Sequence, residues 1–320
     1  MRRIAACMTL VMSLVVALGT ALAAPASAGW REDVGTLRVG FIAGDNPAYE
    51  VARLEKFRWR LQYALAVPVE LFPARSYGAL IEAQATGHVQ YTVLSSLAYL
   101  ALDQRCDCGE PLVQPTTADR ARGFHALLVA KSDGPVVKLA DARNMRLAVG
   151  ASDSLSGRRA AFAGLAREGI DPDSYFLRIL ETANGEAALA ELASGQADLA
   201  TAWSTAPDPL APNAGLLGRP AGEGALPPSA LRVVWQSELI PFGPHVVRKD
   251  LPDMAKSSLL QALVELQNVA PEAYDAIERV HPGGFVAADP ELYRRLAELL
   301  NIADPHAAKN TPKDAAKTGN

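Results

Sequence analysis

The strongest constraint on the fold of this chain is that one pattern is written in it twice. Leu37 to Ile42 is a short apolar run of strand character, followed by the polar turn Gly44-Asp45-Asn46-Pro47. A helical stretch runs from Tyr49 to about Leu65, then a strand from Val67 to Phe72, a helix from Ser76 to Ala85, and a strand from Val89 to Leu94 leading into Ser95-Ser96. From Met145 the same order returns: a strand to Val149, the polar turn Ala151 to Ser156, and a helix from Gly157 to Arg167 stopped by Gly169. A strand from Tyr175 to Leu180, a helix from Gly185 to Ala193 and a strand from Ala197 to Thr201 follow, ending in Trp203-Ser204-Thr205. Even the punctuation repeats. Thr86-Gly87-His88-Val89 and Ser194-Gly195-Gln196-Ala197 each close a helix with glycine, which takes a left-handed cap at no steric cost, and each opens a strand.

Two copies of a βαβαβ unit predict an α/β chain of two lobes, each a mostly parallel sheet flanked by helices. A length of 320 residues agrees, since it exceeds what one core usually supports. Gly123 to Ala130 and Leu231 to Trp235 read as two strands crossing between the lobes. Helices expected over Leu251 to Asn268, Pro271 to Glu278 and Pro290 to Leu300 would pack on the first lobe. The division that follows is a leader over 1–28, lobe 1 over 29–124, lobe 2 over 125–234, lobe 1 again over 235–303, and a disordered tail over 304–320. The Pro-, Gly- and Ala-rich stretch 206–229 is expected as a long loop on lobe 2.

The leader is read from Arg2-Arg3, the apolar run Ile4 to Leu22, and Ala26-Ser27-Ala28, the small residues a signal peptidase accepts. An uncleaved membrane anchor is the competing reading of the same run. Export with cleavage near Ala28 predicts a periplasmic product. The remaining 292 residues then carry 29 basic and 35 acidic side chains, a net charge of −6. That balance argues against nucleic acid as a partner, because such binding draws on Lys and Arg against phosphates. Cys106 and Cys108, in an oxidising compartment, could bind a soft metal or stay reduced; a local disulfide pinning Gln104 to Pro111 is the most specific expectation.

Ligands of such sheets bind beyond the carboxyl ends of the parallel strands, where the polar turns lie. The richest of these is Ser152-Asp153-Ser154-Leu155-Ser156-Gly157, whose hydroxyls precede a helix start with its unpaired N–H groups. An anionic oxygen fits there; an ordinary N-cap is the simpler alternative. The same positional logic nominates Asp45, Asn46, Tyr77, Ser95, Ser96, Glu186, Trp203 and Ser204. Tyr77 could instead pack on its own helix, Trp203 in a core, and Glu186 could serve a helix start. None of the five histidines forms a recognisable pair with a Ser or Cys motif, so no enzyme is expected, and neither a metal nor a cofactor.

A resemblance rests on several of these stretches together: Ser76-Tyr77-Gly78-Ala79-Leu80-Ile81-Glu82-Ala83, Ser154-Leu155-Ser156-Gly157, Gly169-Ile170-Asp171-Pro172, Val234 to Pro241, and Arg248-Lys249-Asp250-Leu251. In combination they resemble the phosphate-, phosphite- and phosphonate-binding periplasmic proteins of ABC importers, from Leu37 to about Leu300. The resemblance implies the type II periplasmic binding protein fold, a small anionic ligand captured by hinge closure, and delivery to an ABC permease in the inner membrane by a monomer. It also implies that Ser154, Ser156 and Gly157 hold the anion and that Tyr77 lines the cleft. A sensor subunit with another membrane partner, or an extracytoplasmic enzyme on the same fold, would share these features. Three places depart from the family pattern: Leu155 stands where a Thr is usual, Leu94 where a ligand-facing Tyr can stand, and Gly185 where a His is expected before Glu186. Each lost hydrogen bond to a charged ligand costs about 1.5–3 kcal/mol, so these departures imply a ligand larger than, or different from, the simplest oxyanion.

Overall fold

The computed structural model describes residues 29–206, 208–211, 215–217 and 226–302. Expectations for the leader and the tail fall outside that set, and the loop 206–229 is described in part.

Helix α1 (Trp30–Val34) precedes strand β1 (Leu37–Ile42), helix α2 (Pro47–Leu65), strand β2 (Val69–Ala74), helix α3 (Tyr77–Ala85) and strand β3 (Tyr91–Val93). Local chemistry explains the boundaries. Asn46 accepts the Tyr49 N–H at 3.2 Å and Pro47 opens the first turn of α2, while Ser76 caps α3 through the Ala79 N–H. Leu54, Phe57, Leu61 and Leu65 recur at three- and four-residue spacing and bury one face of α2. Helix α4 (Ser96–Cys106) and strand β4 (Gly109–Pro115) follow. The expected Cys106–Cys108 disulfide forms at the turn joining them, so helix and strand reach further into this segment than the loop assigned to it.

Strand β5 (Gly123–Lys131) leads to β6 (Arg146–Val149), a wide π-type turn over Leu155–Arg159, α5 (Ala160–Arg167), α6 (Pro172–Tyr175), β7 (Arg178–Glu181), α7 (Gly185–Ser194) and β8 (Leu199–Ser204). The expected strand from Tyr175 therefore starts three residues later. Asp171 and Pro172 nucleate a short helix there, with Asp171 accepting the Asp173 N–H. Strands β9 (Leu231–Gln236), β10 (Ile240–Pro241) and β11 (His245–Arg248) come next, then α8 (Asp253–Val264), α9 (Leu266–Val269), α10 (Pro271–Ile277), β12 (Phe285–Ala287) and α11 (Pro290–Leu299).

Two six-stranded sheets result. The first has the order β12-β4-β11-β3-β1-β2 and the second β10-β5-β8-β6-β7 with β9 beside β5. The repeat is visible in the pairing: β2-β1-β3 and β7-β6-β8 are both parallel trios with the first strand of the unit in the middle. Gly87, one residue past the C-cap of α3, and Gly195, the C-cap of α7, both take a left-handed φ, 79° and 77°. Among the described residues parallel pairing is confined to these trios, and the remaining pairs in both sheets are antiparallel. Strands that enter a sheet from the other lobe, or that turn straight back through a short connection, have no crossover helix to restore direction.

Both expected crossover strands form, as β5 and β9, and both lie in the second sheet along their whole length. The chain passes between sheets through residues 116–122 and 242–244. These passages are tied together: the Phe242 N–H donates to Arg122 O at 3.0 Å, Gln114 Nε2 to Arg122 O at 2.7 Å, and the Leu94 N–H to Pro244 O at 3.1 Å.

Helices α8 and α10 pack against α2 on the first lobe, as expected, but α11 does not belong to one lobe. It contacts α4 of the first lobe and α5 and β10 of the second. Tyr293 donates to Phe242 O at 2.8 Å and meets the ring of Tyr99 edge-on at 5.1 Å between centroids. Its neighbours Leu296 and Leu299 join a buried cluster that continues from Leu80 and Leu94 in the first lobe to Leu128, Leu147 and Leu165 in the second. Burying each such side chain contributes about 1.5–3 kcal/mol, so α11 fastens the two halves to each other.

Candidate functional site

The polar turns nominated from the sequence lie at the carboxyl ends of the two parallel trios. In the first lobe, Asp45 and Asn46 follow β1, Tyr77 opens the helix after β2, and Ser95 follows β3. Asp45 is exposed, Tyr77 is 42% exposed, and Asn46 and Ser95 spend their side-chain oxygens as N-caps for α2 and α4. In the second lobe, the turn after β6 carries Ser152 to Gly157, Glu186 stands exposed in the first turn of α7, and Trp203, next to the last residue of β8, is half-buried. The ring of Trp203 lies edge-on to Phe124, 6.0 Å between centroids, and Phe124 stacks with Phe242 at 6.4 Å, so a row of aromatic rings runs from β8 to the passage at 242–244.

Two nominated serines are placed differently. Ser96 is 5% exposed and its hydroxyl donates to Pro241 O at 2.7 Å, which ties the start of α4 to β10 of the other sheet. Ser204 is fully buried and its oxygen accepts the Ala206 N–H at 3.3 Å. Both expectations are corrected: these hydroxyls hold the frame, because Ser96 opens a helix three residues past buried β3 and Ser204 is itself the last residue of buried β8.

The turn after β6 is built from close backbone approach. Gly157 O accepts from both Gly150 N–H at 3.0 Å and the Thr201 hydroxyl at 2.6 Å, so this carbonyl is drawn out of the helical ladder toward the sheet. The first turn of the helix widens accordingly, with the Arg158 and Arg159 N–H groups both reaching Ser154 O. A side chain at Gly157 has no room: its Cβ would lie 2.8 Å from Ser154 Oγ and 3.2 Å from Gly150 Cα. The glycine is there for packing, and its nomination as a contact is replaced by this role.

Ser154 and Ser156 divide the two readings weighed for this stretch. Ser154 is the N-cap, its oxygen accepting the Gly157 N–H at 3.0 Å. Ser156 is half-buried and, among the described residues, its hydroxyl has no hydrogen-bond partner; the N–H groups of Leu155 and Ser156 likewise meet no acceptor. Two aligned N–H donors and a hydroxyl at a helix start form a local positive pole suited to an anionic oxygen. Beside it, Glu181 at the end of β7 accepts the Ser152 N–H at 3.2 Å and pairs with Arg158 at 2.7 Å. Glu181, Arg158, Thr201 and Phe124 were not nominated from the sequence. Glu181 ends β7 and Thr201 lies inside β8, and nothing in their local pattern signals a reach across to the neighbouring turn.

No group of three or more metal-ligating side chains occurs among the described residues. Four described histidines have structural partners: His88 lies edge-on to Phe72, His125 bonds Ser237 O at 2.8 Å, His245 bonds the Tyr91 hydroxyl, and His281 pairs with Glu278 at 3.1 Å. Burial lowers the His245 pKa to about 4 and holds the ring neutral.

Residues 39–293 match the family described as ABC transporter, phosphonate, periplasmic substrate-binding protein. The chain belongs to this family. Family members are substrate-binding components of ABC transporters, which places a permease and a small-molecule substrate opposite this chain. The chain is similar to the phosphonates-binding periplasmic protein of Escherichia coli K12, with 26% identity over 272 residues that cover 83% of this chain and 76% of that one. Solved structures share the fold: XAC2383 from Xanthomonas citri bound to ATP, at TM-score 0.59 and 21% identity, covers 83% of this chain and 96% of its own. PhnD1 from Prochlorococcus marinus in complex with methylphosphonate, at TM-score 0.55 and 18% identity, covers 84% and 99%. The family and the two-lobed fold expected from the sequence are thereby borne out.

Proposed function

We propose that this substrate-binding protein captures a compound with a phosphonate or closely related oxyanion head in the cleft between its two sheets, and that the open pole at Leu155 and Ser156 receives the anion. The observation that carries the reading is this pair of N–H groups with an uncommitted hydroxyl at the end of a parallel trio, in a family described by phosphonate. Ser154 shapes the pole as its cap. Tyr77, Asp45, Glu186 and Trp203 stand at matching carboxyl ends and are assigned to the rest of the ligand, with Trp203 and Phe124 offering an apolar wall to an organic substituent.

The lobe built on the first sheet and the lobe built on the second close about the tied passages at 116–122 and 242–244, which replace the boundaries expected at 124 and 234. A ligand touching both lobes adds free energy to the closed state alone and so shifts the population toward it. The permease then meets a closed, loaded monomer in the periplasm, after removal of a leader near Ala28. The chain works by binding without turnover, a reading supported by the structural engagement of the described histidines. The test is calorimetric titration and thermal shift with methylphosphonate, phosphite, phosphate, sulfonates and nucleotides. A ligand at about 100 times its dissociation constant adds about 2.7 kcal/mol, readily seen as a raised melting temperature. Stabilisation by an oxyanion compound supports the reading; binding confined to compounds without an anionic group overturns it.

A further inference from the structure

Glu181 lies in an unexpected place for an anion-capturing cleft. It is the last residue of β7, paired in register with Val149, and its carboxylate reaches over the turn that follows β6. One oxygen accepts the Ser152 N–H at 3.2 Å and the other meets Arg158 Nη1 at 2.7 Å. Arg158 in turn lies over the Phe162 ring, its Cζ 4.8 Å from the centroid, and keeps only 24% of its side chain exposed. The ring fixes the guanidinium beside the turn whichever anion it faces. The turn itself is tight, closed by the Ser154 N–H on Ala151 O at 2.9 Å, so Ser152 and the open pole at Leu155 and Ser156 are parts of one short loop.

An ion pair this exposed stabilises a fold by less than about 1 kcal/mol, so stability is a poor reason for its presence. What it does is occupy donors. We propose that Glu181 is an internal counter-anion: in the empty cleft it holds the Ser152 N–H and the Arg158 guanidinium, and an incoming phosphonate competes with it for both. This rests on the reading of the cleft as an oxyanion site. Glu181 thus sets a threshold. Ligands whose head group carries too little charge to displace the carboxylate gain only the Leu155 and Ser156 donors, whereas a phosphonate gains Arg158 as well. Charge screening weakens ligand and competitor alike, so binding in the presence of Glu181 is less sensitive to salt than binding in its absence.

The experiment is calorimetric titration of methylphosphonate into the parent chain and into the Glu181→Gln, Glu181→Ala and Arg158→Gln variants, at low and at physiological salt, with the ligand-free melting temperature of each. Both Glu181 variants should bind about five- to tenfold more tightly than the parent, the size of one screened charge contact, with melting temperatures within about 2 °C. Arg158→Gln should bind at least about tenfold more weakly. If the parent binds and neither Glu181 variant binds more tightly, the counter-anion role falls while the function stands; weaker binding would make Glu181 a direct ligand partner. If no oxyanion compound of the panel above binds the parent, the functional reading fails and this inference with it. A large fall in melting temperature for both Glu181 variants would make the pair structural and also overturn the proposal.

Discussion

Ser154 and Ser156 sit two residues apart and are expected to fail in different ways when each is changed to alanine. The Ser154 oxygen accepts the Gly157 N–H at 3.0 Å, so Ser154→Ala removes an N-cap, a change that costs about 1 kcal/mol. For a chain with this many ordered residues that is a fall of roughly 2–4 °C in melting temperature without ligand. The Ser156 hydroxyl has no partner among the described residues, so Ser156→Ala should leave the ligand-free melting temperature within about 1 °C. Its loss is felt only when an anion is bound: a hydrogen bond to a charged group contributes about 1.5–3 kcal/mol, which is roughly 10- to 140-fold in dissociation constant. Differential scanning fluorimetry without ligand and calorimetric titration with methylphosphonate separate the two effects. The double variant should show both. If Ser156→Ala lowers the ligand-free melting temperature as much as Ser154→Ala does, and leaves the dissociation constant alone, then the helix start is a structural cap and the anion sits elsewhere.

Other outcomes follow from the same structure. His245 is buried between Tyr91 and Phe285 with Nε2 unpartnered, and burial lowers its pKa from 6.5 to about 4 against a smaller opposing pull from Glu278. The unfolded chain therefore binds this proton more tightly, so the stability it confers is complete above about pH 6.5 and is lost as pH falls toward 4, by about 3 kcal/mol at most. His245→Phe should flatten the chemical-denaturation stability profile over that window, whatever its effect at neutral pH; an unchanged slope would shift the cause to other groups. Gly157→Ala pushes a Cβ against Ser154 Oγ and the backbone of Gly150, and is expected to cost about 1–3 kcal/mol and to weaken ligand binding by displacing the turn, both read in the fluorimetry and calorimetry above. The Cys106–Cys108 bridge closes a ring of very few residues, so its entropic contribution is only about 1.5 kcal/mol. Reduction should lower the melting temperature by a few degrees and leave ligand affinity unchanged, and a loss of binding would show that the joint between α4 and β4 controls the cleft.

Much of this architecture is readable before any coordinates, because it depends on short-range signals. The alternation of apolar strands with capped helices, and glycine at the matching positions 87 and 195, are local properties of the chain, and the duplication they reveal determines two parallel trios with polar turns at their carboxyl ends. The segment 96–115 carries weaker local signals. It holds a helix and a strand joined at a two-cysteine turn, and α4 has apolar residues on most sides, so neither a helical stripe nor an alternation stands out. Helix α11 was legible as a helix but not in its placement, since its apolar stripe does not say which lobe, or both, will cover it.

The site divides along the same line. Sequence alone determined that hydroxyl-bearing residues gather at Ser152 to Ser156 ahead of a helix, and that Asp45, Asn46, Tyr77 and Ser95 occupy the corresponding ends of the first lobe. Tertiary structure decided which of them remain available. Ser96 and Ser204 are consumed by Pro241 O and the Ala206 N–H, Ser154 by its own helix, and Ser156 by nothing among the described residues. It also decided that Glu181 and Arg158, 23 residues apart in the chain, meet over the same turn. The reason is physical: a residue type advertises what it can donate or accept, but whether that capacity is already spent depends on the partners that long-range packing brings within about 3 Å.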